Sequence, residues 1–165
     1  QDTFLFKTEV RENVAYGDPT AEDDRVVDAA DTAQLHDYVA GLPEGYDTLV
    51  GERGVSLSGG QRQRLSIARS VLLTPRIIVF DDSTAAIDAG TELRIRDALK
   101  ELNRTRATII ISHRLSSLMH ADEILFLEAG RIVERGSHAA LLAQGGRYRR
   151  LFDLQMVAAR ENALA

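Results

Sequence analysis

Residues 77–88 read IIVFDDSTAAID, an apolar run that ends on two adjacent carboxylates. A short, β-branched run bounded by turn residues reads as a buried strand. Asp81 and Asp82 then stand at its carboxyl end, the edge at which open α/β sheets bind their ligands. ATIIIS (107–112) and EILFLE (123–128) are runs of the same length and predict two more strands. Between the first two lies AGTELRIRDALKELNR, where Leu93, Ile95, Ala98, Leu99 and Leu102 form a helical stripe. RLSSLMHA (114–121) offers a short helix before the third strand. Strands alternating with helices predict an α/β fold with a mostly parallel sheet.

Working outward, LEAGRIVERG (127–136) reads as a hairpin turning at Ala129-Gly130. SHAALLAQ, with Ser137 as its cap, and GRYRRLFDLQMVAAR are amphipathic helices. Upstream, VRENVAYGDPTAEDD carries a Gly-Asp-Pro break with Thr20 as a candidate N-cap. AEDDRVVDAADTAQLHDYVAGL is acidic at its start and has Val and Ala at helical spacing. PEGYDTLVGERGVS is glycine-rich and reads as a connecting loop. The chain thus divides into a helical region, 1–74, and a sheet-bearing region, 75–165.

With 165 residues, 44% of them apolar and 27% charged, the chain has the composition of a globular domain with a real core. A net charge of -5 argues against a dedicated nucleic-acid binder, which needs a basic surface. Without cysteine there is neither a disulfide framework nor a thiolate metal site. No apolar stretch approaches the ~20 residues that cross a bilayer. The opening QDTFLFKTEVREN lacks the long apolar centre of a signal peptide. An abrupt start without Met leads us to expect a piece of a longer protein.

The stretch VSLSGGQRQRLSIARSVLL carries the most specific pattern. Ser58 can cap a helix that opens with Gly59, Gly60 and Gln61. Such a start points free N–H groups and a positive dipole end outward, and glycines let an anion come close. For a bare Ser-Gly-Gly, a helix start packed inside a domain is the favoured reading. The longer string decides: LSGGQRQR followed, one helix later, by IIVFDDSTAAID resembles the ATP-binding cassette family, at its signature motif and Walker B strand. Gln1 matches the Q-loop glutamine, Asp88 the D-loop aspartate, and His113, after TIIIS, the switch histidine. TLVGERG (48–54) is similar to an extra loop of cassette exporters, and GRIVERGSHAALLAQGGRYRRLFDLQ to their C-terminal end.

The resemblance implies a P-loop NTPase-like domain that uses ATP and Mg²⁺. It makes Asp81 a metal-side acid, where a hard carboxylate suits Mg²⁺ directly or through water. Gln1 is implied at the metal or the attacking water. Asp82 takes the place of the catalytic carboxylate, and His113 that of the imidazole that contacts the γ-phosphate. Ser58, Gly59, Gly60 and Gln61 are implied to close over ATP bound to a second, facing nucleotide-binding domain. A side chain at Gly60 is therefore expected to block closure and leave folding intact. Residues 1–16 and the 48–54 loop are implied to meet the transmembrane domain of the same parent chain, at the cytoplasmic face of the membrane. Glu52 and Arg53 are the candidates there, or simply a solvated charged loop. His36, His120 and His138 read as structural or solvated.

Two departures stand out. The phosphate-cradling Gly-x-x-x-x-Gly-Lys-[Ser/Thr] loop is absent from the sequence, since Lys7 and Lys100 follow Phe6 and Leu99. We therefore expect a C-terminal fragment that begins at the Q-loop and is inactive alone. Asp82 also stands where the family usually has Glu, so its carboxylate falls about 1 Å or more short of the water it orients, enough to cost ~10²-fold in rate. A short acid beside an intact LSGGQ resembles one half of a heterodimeric exporter. A soluble cassette ATPase of DNA maintenance or translation, and a non-hydrolysing interaction module, are the alternatives.

Overall fold

The computed structural model describes residues 4–51, 54–81, 86–102 and 107–164, and the chain forms two compact units, 1–111 and 112–165. The first opens with α1 (Val10–Val14), α2 (Asp23–Thr32) and α3 (His36–Ala40). It continues with α4 (Gly59–Leu72), β1 (Ile77–Asp81), α5 (Ala89–Leu102) and β2 (Ala107–Ile111).

In α2, Val26, Ala29 and Ala30 recur at helical spacing and are buried. Asp23 and Asp24 in its first turn suit the positive end of the dipole. Thr20 is not the cap: its hydroxyl donates to Asp18 Oδ1 at 2.9 Å, and the helix begins later, behind Glu22. The long helical pattern of 21–42 is broken in two. Gln34 takes a left-handed φ of 55°. The N–H of Leu35 then reaches the Ala30 carbonyl, and that of Gln34 the Asp31 carbonyl. This is the paired ending that glycine usually supplies, here closed by a glutamine and the fully buried Leu35.

α4 is the axis of this unit. Leu65, Ile67, Ala68, Val71 and Leu72 are buried along it, against α1 and α2. Each of the larger ones, Leu65, Ile67, Val71 and Leu72, contributes roughly 1.5–3 kcal/mol by leaving water. The expected loop 43–56 is pinned: Val10 N–H donates to Thr48 O at 3.0 Å and Val50 N–H to Thr8 O at 2.9 Å.

β1 and β2 pair in parallel, from Ile77 opposite Ala107 to Asp81 opposite Ile111. The carboxyl ends of both strands therefore share one edge. Ile78 and Phe80 face the core, whereas Ile77, Val79, Ile109 and Ile111 face outward and are at least half exposed. On α5, Ile95 and Leu99 are buried as the stripe predicts, but Leu93 is 44% exposed and Thr91 takes the inward position. The run 91, 95, 99 follows one face at i, i+4, i+8, and Leu93 lies off it.

The second unit holds α6 (Leu115–Leu118), β3 (Ile124–Glu128), β4 (Arg131–Gly136), α7 (His138–Gln144) and α8 (Arg147–Leu164). β3 and β4 form the antiparallel hairpin read from the sequence. Ala129 and Gly130 both take positive φ, 47° and 74°, the turn whose twist matches paired strands. Its core is Leu115, Ile124, Leu141 and Tyr148. Ser137 caps α7 as expected, accepting the Ala140 N–H at 3.3 Å. The buried Glu134 accepts the N–H groups of Arg147 and Tyr148 and so caps α8. Among the described residues no helix is long and apolar enough to cross a membrane.

Candidate functional site: the start of helix α4

α4 begins with a complete capping box. Ser58 Oγ accepts the Gln61 N–H at 3.3 Å, and Gln61 Oε1 accepts the Ser58 N–H at 2.7 Å. The two side chains satisfy the N–H groups of Ser58 and Gln61 in reciprocal fashion. Gly59 and Gly60 lie inside that turn, where helix geometry provides no intrahelical acceptor for the N–H groups. This is an anion-receptive arrangement.

Gly60 has a second constraint. A Cβ built there would lie 2.8 Å from the Ala86 carbonyl oxygen. A side chain at 60 thus meets its own chain first, which corrects the expectation that folding would be untouched. One turn on, Gln63 Oε1 accepts the Ala86 N–H at 2.9 Å. Asp88 follows, and its Oδ1 accepts the Thr91 N–H at 2.9 Å, capping α5. That backbone bond, and the Thr91 hydroxyl after it, hold the Asp88 carboxyl below the usual carboxylate range. Asp88 is exposed. Ser58–Gln61 and Asp88 are therefore brought together in one unit.

Asp81 ends β1, half-buried, at the carboxyl edge where it was expected. Gln1 and Asp82, like Glu52 and Arg53, lie outside the described residues. His113 belongs to the second unit and is exposed. Its carbonyl accepts from Gln155 Nε2 at 2.8 Å, while Gln155 Oε1 accepts the Leu115 N–H at 3.0 Å. Gln155, on α8, thus spans the segment on both sides of Arg114; nothing local in the sequence pointed to it. The other histidines behave as read. His36 Nδ1 lies 3.0 Å from the Tyr46 hydroxyl and His138 Nδ1 2.6 Å from that of Tyr148, and His120 is exposed. Burial, then the charge of Asp31, push the Tyr46 hydroxyl up to about 12.

The segment before α1 is also held to α4. The fully buried Asn13 accepts the Phe6 N–H at 3.0 Å and donates to the Phe6 carbonyl at 3.0 Å. Arg69, on α4, donates to the Asn13 carbonyl at 2.9 Å and lies about 5.5 Å from the centres of the stacked Phe6 and Tyr16 rings. Asn13 and Arg69 are the residues through which this arm is fixed, and the sequence reading passed over both.

The family model for ABC transporters matches residues 1–85. The uncharacterized ABC transporter ATP-binding protein YknU of Bacillus subtilis is 52% identical over 94% of this chain, which spans 26% of YknU. A provisionally named multidrug export ATP-binding/permease protein of Staphylococcus aureus is 51% identical over the same share, 27% of its own length. Among solved structures, a bacterial Atm1-family ABC exporter with ATP bound superposes with a TM-score of 0.89. It is 44% identical over 94% of this chain and 27% of that one. The chain thus spans about a quarter of the length of the relatives it matches. With more than half of its residues inside the family model, and with an α/β fold that is part of a P-loop NTPase-like domain, this chain belongs to the ABC transporter family.

Proposed function

We propose that this chain is the C-terminal part of the nucleotide-binding domain of an ABC exporter, which couples ATP hydrolysis to transport across a membrane. The observation that carries the reading is the start of α4. There, a capped, glycine-opened first turn stands beside Asp88 and is fixed to it through Ala86. This pairs the signature motif with the D-loop, the two elements that a cassette offers to the nucleotide of a facing domain.

The metal assignment fits the donor set. Asp81 is a hard carboxylate at the strand end. Mg²⁺ suits such a place because it keeps several waters and binds through one or two carboxylates plus substrate phosphates. When bound, it would neutralise developing charge on the phosphates. Asp81 would hold it, with Gln1. Asp82 would orient water, and His113 would stabilise charge at the γ-phosphate. Ser58 and Gln61 would cap the signature turn, and Gly59 and Gly60 would let phosphate approach their own N–H groups.

The partners are a second nucleotide-binding domain and the transmembrane domain of the same parent chain, at the cytoplasmic face of the membrane. With Asp82 in place of Glu, this subunit's own site hydrolyses poorly, and its Ser58–Gln61 segment completes a competent site on a different subunit. The fragment alone neither binds MgATP tightly nor hydrolyses it. The test is ATP turnover of the intact complex. Asp82→Asn here leaves most turnover, and Glu→Gln at the matching position of the partner removes nearly all of it. Loss of hydrolysis from Asp82→Asn alone, or an active homodimer, sinks the asymmetric part; no ATPase activity at all sinks the whole reading.

A further inference from the structure

A closed circuit of hydrogen bonds joins the start of α4 to the segment that precedes α5. From α4, Gln63 takes the Ala86 N–H at 2.9 Å, and Gly60 abuts the Ala86 carbonyl. Ile87, next in the chain, is buried, which seats this segment in the core. Asp88 then caps α5 through the Thr91 N–H. Arg94, one turn along α5, donates to Thr91 Oγ1 at 2.8 Å and to Gln34 Oε1 at 3.0 Å. Gln34, held in its left-handed turn, accepts Arg64 of α4 on its carbonyl, and the circuit closes.

We infer that Gln63 is a positioning residue: by holding Ala86, it makes the glycine turn at 58–61 and Asp88 one rigid element, presented to the facing subunit's nucleotide as a unit. The inference rests on the exporter reading above and deepens it. Gln63 contacts a backbone amide and touches no reacting atom. Its carboxamide spans 23 residues of chain to a segment that has no other side-chain tie to α4 among the hydrogen bonds described. Gly60 lets the two segments approach closely, because any Cβ there would press on the same peptide unit. Displacing the turn relative to Asp88 disturbs what is presented to the facing subunit's nucleotide. The loss therefore falls on turnover and spares binding.

The test uses the full-length transporter with its second subunit. Gln63→Met keeps the length of the side chain and removes the acceptor; Gln63→Glu keeps an acceptor oxygen. Gln63→Met is expected to lower kcat about tenfold, given what misplacement of a closing element costs, with KM for ATP within about twofold. Gln63→Glu restores most of the rate. Adding Asp88→Ala to Gln63→Met gives no further loss beyond Asp88→Ala alone, since both act through one element. Amide exchange at Ala86, read by mass spectrometry, rises about tenfold in Gln63→Met and stays slow in Gln63→Glu. Wild-type turnover in Gln63→Met despite fast exchange at Ala86 overturns the inference, as does a double variant whose losses multiply. Unchanged exchange overturns it too. A wild-type transporter without ATPase activity defeats the exporter reading and this inference with it, and is told apart because Ala86 exchange still follows Gln63.

Discussion

At the start of α4, Ser58, Gln61 and Gln63 each hold a backbone group of their own chain, whereas on β1–β2 Ile77, Val79, Ile109 and Ile111 stand at least half exposed. Both regions lie in the same unit. The helical region closes through its own sequence, by caps, a glutamine-closed turn and the Arg69–Asn13 tie. The strand pair buries one face with Ile78 and Phe80 and leaves the other apolar face in water. A contiguous apolar patch of that sort marks a surface made to be covered. The contrast separates a helix start that this chain closes with its own residues from a strand pair that it covers on one face only.

The sharpest way to break this comparison is to truncate one aliphatic side chain in each region. Leu65→Ala, at a fully buried position of α4, is expected to cost ~2–5 kcal/mol in chemical denaturation. Val79→Ala, on the outward face, should stay within about 0.5 kcal/mol. Equal losses would mean that the outward face is packed in solution. Asn13→Ala comes next. It leaves buried N–H and carbonyl groups of the arm without their partner, which costs about 1–3 kcal/mol. A loss under half a kcal/mol would show the arm to be held by its other ties, the Val50–Thr8 bond and the aromatic stack among them. Ser58→Ala removes the cap of α4 and should cost ~1 kcal/mol, while Thr20→Ala, at the rejected cap, should cost little.

The smallest effect is one of pH. Tyr46 titrates at about 12 in the folded chain against an ordinary 10.0. Between those values the folded state keeps a proton that the unfolded state has lost, so stability falls as pH rises through this window. The contribution is present in full below pH 10. Tyr46→Phe should flatten the alkaline slope of the melting temperature, and an unchanged slope would clear Tyr46 of the role.

What could be read from the sequence was local. Ser58 and Ser137 were found as caps because a cap and its acceptors sit within three residues. The hairpin was found because Ala129-Gly130 divides two β-branched runs. The stripe on α5 was found in Ile95 and Leu99, but Leu93 was misjudged, since Leu is apolar wherever it points. Gln34 was missed because glutamine carries no signal for a left-handed turn, and Thr20 misled because its hydroxyl had a nearer partner in Asp18. Gln63, Arg69 and Gln155 were passed over for one reason. Each acts on backbone groups far along the chain, and polar side chains on an amphipathic helix all look alike until the fold decides which faces a neighbour. Gln1 and Asp82 were read by resemblance alone.

The proposed function has this chain supply the turn at the start of α4 but only part of a nucleotide site. Calorimetric titration of MgATP into the pure 165-residue chain tests it most directly. The account predicts no saturable heat at micromolar ligand, because no Gly-x-x-x-x-Gly-Lys-[Ser/Thr] loop is present to cradle the β- and γ-phosphates. Micromolar affinity for the single chain would contradict it.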